Sequence, residues 1–551
     1  MAMKISFEFL ISGFTVGCSL TRENFSFASL DISYTVPIPE QCKEGWKGEV
    51  LEEPSIRSES DYNIQCYCPA TGRLLGRVKP AYPEDIDKAI AKSAAAQEEW
   101  AKTSFDERKR VLRSLLKYVL VNQDTIITAA CLDSGKTRID AALGEILVVV
   151  EKIKWVLNNG EKALGPERRN MNLWGLFVLA FLGIKGSENT AWSSDYFVST
   201  IRGALAACGH NPDLVQSITC WPEVAPHLTS HPRLAHITFI GSRPVAHHVA
   251  ASASKSLTPL CIELGGKDAA IILDDVPNIK ALSSLLMRGV FQSASQNCIG
   301  IERMVVLPKV YPKLVEILEE RIKKIRPGSV LDDDEVDCGA MVSAAGFDKL
   351  ESWIEEAVRK GARCLVGGKR LVHPKYPQGH YFSPTLLVDV TEDMLIAQNE
   401  TFAPICVLMR AKDVTHAIHL ANSTEYGLGG SVFGRNKQDI DRVVREFKSG
   451  MVSVNDFGVY YLNQSLPFGG VRGSGYGRFA GVEGMRAVCN VKAVCEDRFP
   501  RLMSTAIPPV VDYPIGDGNR GWRFTKGLIE LAYGESWGRV AGGLWKLLTN
   551  M

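Results

Sequence analysis

Residues 261–275 read CIELGGKDAAIILDD. Two short apolar runs flank a pair of glycines, and the second run, Ala269–Leu273, stops at two aspartates. Runs of four to eight apolar residues bounded by turn formers fit strands buried on both faces of a sheet. The pattern recurs in LAHITFIGS (Leu234–Ser242) and in RMVVL (Arg303–Leu307). Between and before these runs lie segments with helical spacing. PEDIDKAIAKSAAAQEEW opens on Pro83 and two acids, a good helix entry. FDERKRVLRSLLKYVL places Val111, Leu112, Leu115, Leu116 and Val119 on one helical face. Strands alternating with helices define an α/β chain with a parallel sheet.

The same opening stretch carries chemistry. Glu263 is a carboxylate in an otherwise apolar run, followed by glycines that mark tight backbone or close approach to a ligand. It reads either as an ion-paired acid at a strand end or as a general base with a pKa raised by burial. Thirty-five residues on, SASQNCIGIER (Ser293–Arg303) holds Cys298 between an amide pair and small residues. A free cysteine is most often a small buried hydrophobe, and the alternative is a nucleophile. HITFIGSRPVAHHVA reads as strand, Gly241-Ser242 turn, helix. Such a turn presents free N–H groups and a hydroxyl to a phosphate, although the G-x-G-x-x-G fingerprint is absent.

Composition narrows the class. The chain has 551 residues, 46 % hydrophobic and 23 % charged, which is ordinary globular composition spread over more than one core. Lys and Arg number 63 against 62 Asp and Glu, so no basic surplus points to nucleic acid. The 14 cysteines are scattered; Cys66 and Cys68 form one C-x-C without a second pair at zinc spacing, so no metal site is expected. That usage fits a reducing compartment.

Glu263 and Cys298, together with KGSE (185–188), Gly241-Ser242, NETFAPI (399–405) and LPFGGVRGSGYGRFAG (466–481), make a set that resembles the aldehyde dehydrogenase superfamily. The resemblance runs from about residue 64 to 500 and is nearest to a fungal and plant branch with extra segments at both ends. It implies an aldehyde dehydrogenase-like α/β fold: a Rossmann-type NAD-binding domain over 61–263 and an α/β catalytic domain over 264–470. Residues 471–500 would complete the family core. It further implies oxidation of a small-molecule aldehyde with NAD. Cys298 would attack the carbonyl to give a thiohemiacetal, hydride transfer would leave a thioester, and Glu263 would activate the hydrolytic water. Lys185 and Glu188 match the residues that hold the adenine ribose, and a carboxylate there disfavours a 2′-phosphate. Gly241 and Ser242 match the pyrophosphate contact, and Leu264 lies beside the cofactor. Glu400 matches the nicotinamide-ribose ligand and Phe402 the ring packed beside it. Phe468 would line the substrate funnel. Ala403 stands where the family has glycine.

One region departs from the resemblance. Between Leu164 and Lys185 the chain has some twenty residues, and the one apolar run that begins there, Leu176–Glu188, reads as a buried parallel strand. Family members have a longer stretch here, with an oligomerisation hairpin, two core strands, a helix and the asparagine that serves as the second oxyanion donor. An internal deletion around 165–185 is therefore expected, with activity and the homo-oligomer both weakened. The alternative function is an impaired scaffold that binds nucleotide or a partner. A third class, a membrane-tethered interaction protein, rests on the two ends. Residues 1–60 read as linker or a weak membrane segment around Phe7–Cys18. Residues 501–551 read as a tail whose helix carries Trp537, Val540, Ala541, Leu544, Trp545 and Leu548 as one stripe, either packed on the protein's own surface or weakly bound to a membrane. Cytoplasm or endomembrane, the endoplasmic reticulum included, is the expected location.

Overall fold

A computed structural model describes residues 31–58, 62–165, 176–177, 182–331, 335–491, 493 and 506–551. The apolar Phe7–Cys18 stretch lies outside them, as does most of 166–181. The chain forms two units. One comprises residues 1–164 and 177–490, the other 165–176 and 491–551.

In the larger unit, helices α1 (Pro83–Trp100) and α2 (Phe105–Val121) form where the spacing places them. Ser104 caps α2 by accepting from the Glu107 N–H, while Glu107 accepts from the Ser104 N–H. This reciprocal box satisfies two of the free donors at the helix start. Val111, Leu116 and Val119 are buried.

Strand β1 (Leu182–Lys185) pairs in parallel with β2 (Val215–Ile218), and helix α3 (Ala191–Ala207) connects them. The apolar run Leu176–Glu188, read as one buried strand, lies partly outside the described residues; those described include the short strands Leu176–Phe177 and Leu182–Lys185, with Lys185 exposed. Strand β3 (Ile237–Ile240) leads into α4 (Arg243–Ala253) and pairs in parallel with β4 (Leu260–Glu263).

After the glycine pair, the chain enters a seven-stranded sheet. Its strands are β5 (Ala269–Ile272), β6 (Arg303–Val306), β7 (Arg363–Val366), β8 (Thr385–Val388), β9 (Ile405–Arg410), β10 (Gly430–Phe433) and β11 (Ser453–Val454). The spatial order is β7-β8-β9-β6-β5-β10-β11, parallel except at the β7–β8 edge. Helix α5 (Ile279–Phe291) crosses from β5 to β6. Alternation divides the interior into two cores. Ala269, Ile271 and Val305 join one; Ala270, Ile272, Met304 and Val306 join the other. This is the continuous apolar reading expected of a parallel sheet covered on both faces. A last short strand, β12 (Gly475–Tyr476), runs antiparallel to β4.

The smaller unit holds a helical hairpin, α6 (Gly518–Tyr533) and α7 (Trp537–Asn550). Helix α7 meets α6 through Gly543, not through the stripe foreseen from spacing. Trp537 is 90 % exposed and Trp545 69 %.

Candidate active site

Glu263 is the last residue of β4, in register with Ile240 of β3 and Gly475 of β12. The Gly241 N–H donates to the Glu263 carbonyl over 3.1 Å, so the Gly241-Ser242 turn sits against the acid. Ser242 starts α4 without its side chain capping the helix. The first-turn N–H groups therefore stay open to an anion.

Cys298 reaches the same place from α5. Beyond the helix, Ser293, Ala294 and Ser295 all adopt the left-handed conformation, with φ of 56°, 53° and 63°. Each such residue costs on the order of 1–3 kcal/mol and persists only where its surroundings fix it. Here Asp140 does so. It is buried, accepts from the Ser293 N–H at 3.0 Å and is paired with Arg288 at 2.7 Å. Gln296 locks the next step by accepting from the Val342 N–H at 2.9 Å.

The two residues meet. The half-buried Cys298 thiol lies close enough to the Glu263 carboxylate for each to shift the other's acidity, and that carboxylate is 2 % exposed and accepts from the Gly265 N–H at 3.3 Å. Burial raises the Glu263 pKa, and Cys298 and the Gly265 N–H pull it partly back. Burial, then the Glu263 charge, pushes the Cys298 thiol well up. The two groups are placed so that a proton passing from the thiol to the carboxylate would leave a thiolate.

Glu400 approaches from the other side. Its Oε1 accepts from the Gly266 N–H at 3.1 Å. A Cβ at Gly265, where φ is +70°, would lie 2.1 Å from that oxygen, so only glycine admits this carboxyl. Burial, with the neighbouring Glu302 charge, pushes Glu400 up to about 8. Glu400 and Phe402 line a cavity of about 560 Å³ with Ser187, Asn189, Lys349 and Trp353. Lys185 and Glu188 form an ion pair at 3.6 Å. The resemblance would place a pyrophosphate at the open α4 start, one ribose at the Lys185–Glu188 pair and a second at Glu400. Phe468 is fully buried against Tyr460 and Phe479, in the cluster on which Cys298 packs. Leu264 packs with Ala246 and Ile262.

Sequence reasoning passed over the charged layer beneath. Glu302 accepts from the buried Lys267 ammonium at 2.6 Å, the Thr401 N–H and hydroxyl at 3.0 and 2.6 Å, and the Phe402 N–H at 3.0 Å. It thereby clamps the segment that presents Glu400 and holds Phe402 at φ 50°. Arg303 is buried and donates to the carbonyls of Lys267, Leu420 and Ala421. The signal was two adjacent charges, Glu302-Arg303, opening an apolar strand.

The aldehyde dehydrogenase family model matches residues 56–181 and 180–494, and the chain belongs to that family. It is similar to an aldehyde dehydrogenase-like protein of Saccharomyces cerevisiae, 47 % identical over 557 residues, covering 92 % of this chain and 86 % of the relative. A Schizosaccharomyces pombe counterpart is 49 % identical over 522 residues, covering 88 % of this chain and 99 % of that protein. Betaine aldehyde dehydrogenase from Staphylococcus aureus, solved in complex with NAD+, shares the fold with a TM-score of 0.69 at 22 % identity, covering 81 % of this chain and 95 % of that one.

Proposed function

We propose that this chain is organised to oxidise an aldehyde to a carboxylic acid, with Cys298 as nucleophile, Glu263 as base and NAD as cofactor. The observation that carries the reading is the closeness of the Cys298 thiol to the buried Glu263 carboxylate, each shifting the other's acidity, with the Glu400 carboxyl beside them. Glu263 takes the thiol proton as Sγ bonds the aldehyde carbon. The carbonyl oxygen becomes the oxyanion of a thiohemiacetal, to which the Cys298 N–H donates. Lys185, Glu188, Ser242 and Glu400 would hold NAD, which would supply the hydride acceptor, and loss of the hydride would leave Cys298 in a thioester. Glu263, its proton released to solvent, then deprotonates the water that attacks the thioester, and the acid leaves as Sγ departs. Glu188 favours NAD over NADP, because a carboxylate repels a 2′-phosphate. Support comes from the family match and from the NAD+ complex of the Staphylococcus aureus protein.

A second feature supports reading this chain as an impaired form. Among the described residues, β1 pairs only with β2, and no strand joins that pair to β3 and β4. Ile240 of β3 stands 61 % exposed along the open edge. The family match breaks at residues 180–181, and the 557 aligned residues of the budding-yeast comparison outnumber the 92 % of 551 that they cover. The budding-yeast alignment thus includes positions without a counterpart in this chain, and we read them as falling at the break in the family match, where the resemblance implies a second oxyanion donor. Loss of one such donor costs roughly 10²–10³ in rate.

The test is NADH formation from a panel of aldehydes. Cys298→Ala should abolish turnover, and Glu263→Gln, which removes the base from both the thiol and the water step, should lower it by at least about 10². Equal rates for the unmodified protein and Cys298→Ala would refute the assignment.

A further inference from the structure

The hairpin of α6 and α7 is built inside out for a segment in water. Its seam is made of small residues. A Cβ on Gly527 would lie 2.8 Å from the Gly543 carbonyl oxygen, and one on Gly543 would lie 2.5 Å from the Leu531 nitrogen. The two backbones therefore touch, and Glu530–Lys546 pins them with an ion pair at 2.5 Å. The large apolar side chains are turned away from this seam. On α6, Trp522, Ile529 and Tyr533 are 62 %, 52 % and 82 % exposed and follow one another at i, i+7, i+11. On α7, Trp537, Trp545 and Leu548 are 90 %, 69 % and 67 % exposed. Glycine within and tryptophan without is the packing of helices whose surroundings are apolar. In water the same arrangement leaves the apolar surface of each large side chain unburied.

Two observations choose the occupant. Tryptophan and tyrosine are the residues that settle at the boundary between lipid headgroups and acyl chains. The hairpin is also cationic: residues 518–551 carry five Arg or Lys against two Glu. Arg523 and Lys526 lie exposed on α6 beside its apolar stripe, and Arg539 on α7. Each basic group near an anionic membrane surface adds to the attraction. Helices of 16 and 14 residues fall short of the roughly 20 needed to cross a bilayer, and no described helix is long and apolar enough to do so. We infer that the α6–α7 hairpin is a docking surface for the interface of an anionic membrane, lying in the headgroup plane with its tryptophans toward the acyl chains. The family's chemistry plays no part in this inference, which stands or falls apart from the catalytic reading.

The experiment is flotation of the full chain with phosphatidylcholine vesicles, with and without about one-third phosphatidylserine, read beside tryptophan fluorescence. The full chain should float with the anionic vesicles, with a blue-shifted emission, and binding should fall as salt rises. A chain ending at residue 516 should bind at least ten-fold less. So should the double variant Trp537→Glu/Trp545→Glu, whose positions are too exposed to unseat the fold. Flotation unchanged by truncation and by the double variant would overturn the inference. Equal binding to neutral vesicles would overturn the anionic requirement. Self-association in lipid-free solution, abolished by the same double variant, would assign the face to a second copy of the chain and overturn it as well.

Discussion

Strands β5, β6 and β10 are buried at every residue, whereas in β3 Thr238 and Ile240 are exposed and Ile237 and Phe239 only half-buried. Both regions descend from the same kind of apolar run. The difference lies in what each run finds beside it. β5 has β6 on one side and β10 on the other, with a separate hydrophobic core above and below. β3 has β4 on one side and, among the described residues, no strand on the other. A strand is stabilised by its neighbours, so one absent neighbour exposes apolar side chains and leaves a row of backbone donors and acceptors unpaired.

The strongest way to break the comparison is to close the gap. On the impaired-form reading proposed above, inserting the budding-yeast relative's segment between Leu164 and Leu182 should supply both a neighbouring strand and an oxyanion donor. Turnover should rise roughly 10²–10³-fold, since an oxyanion donor is worth that much. Proteolysis near β3 should slow as its edge is covered. Family-typical rates in the unmodified chain, unchanged by the insertion, would mean that the existing backbone already completes the site.

A pair of substitutions sharpens it. Ile271 in β5 is fully buried, so Ile271→Ala should cost about 2–5 kcal/mol by removing transfer energy and leaving a cavity. Ile240 is 61 % exposed, and Ile240→Ala should fall within about 0.5 kcal/mol of neutral. Denaturant melts of both variants check this. A large loss at Ile240 would show that its edge is covered in solution.

These two regions also explain what could be read in advance. The strands and helices of the catalytic side were legible because runs such as Ala269–Leu273 carry their own length and boundaries. Glu263 and Cys298 were legible through chemistry that is out of place in an apolar context. Their contact was not, since it depends on the left-handed bend at Ser293–Ser295, which no local preference of Ser or Ala suggests. Glu302 went unread because its partners, Lys267, Thr401 and Phe402, are 35 to 100 residues away along the chain. The tail helix was legible as a helix. Its partnered face was not, because a glycine seam leaves no hydrophobic periodicity to follow.

Acidity separates the regions by a smaller amount. Burial pushes Asp268 and Glu400, both beside the seven-stranded sheet, up to about 8. Unfolded carboxyls titrate near 3.9 and 4.3. A folded pKa raised above the unfolded one means that the fold favours the protonated group. That stability is fully present below about pH 4 and is lost as pH rises through about 8. The melting temperature should therefore fall by a few degrees between about pH 6 and 9, and Glu400→Gln should flatten part of the fall. An equally steep fall in the variant would show that Glu400 ionises freely in the folded chain.

The smallest effect tests the split side directly. Glu188 lies one turn beyond β1, paired at 3.6 Å with Lys185, the last residue of that strand. If the β1–β2 pair keeps its geometry despite the open edge, Glu188 still presents a carboxylate where a ribose diol would sit. It then repels a 2′-phosphate and competes with it for the Lys185 ammonium. A preference for NAD over NADP of at least ten-fold follows, about 1.4 kcal/mol. Glu188→Ser removes the charge and keeps a hydroxyl that can bond a ribose oxygen, so the preference should narrow mainly through tighter NADP binding. Titration calorimetry with each dinucleotide measures the ratio without requiring turnover, which separates it from the state of the oxyanion site. Tighter binding of NADP than of NAD by the unmodified chain would show that the Lys185 charge, released from Glu188, governs the pocket, and that the opened sheet has shifted the strand end on which both residues stand.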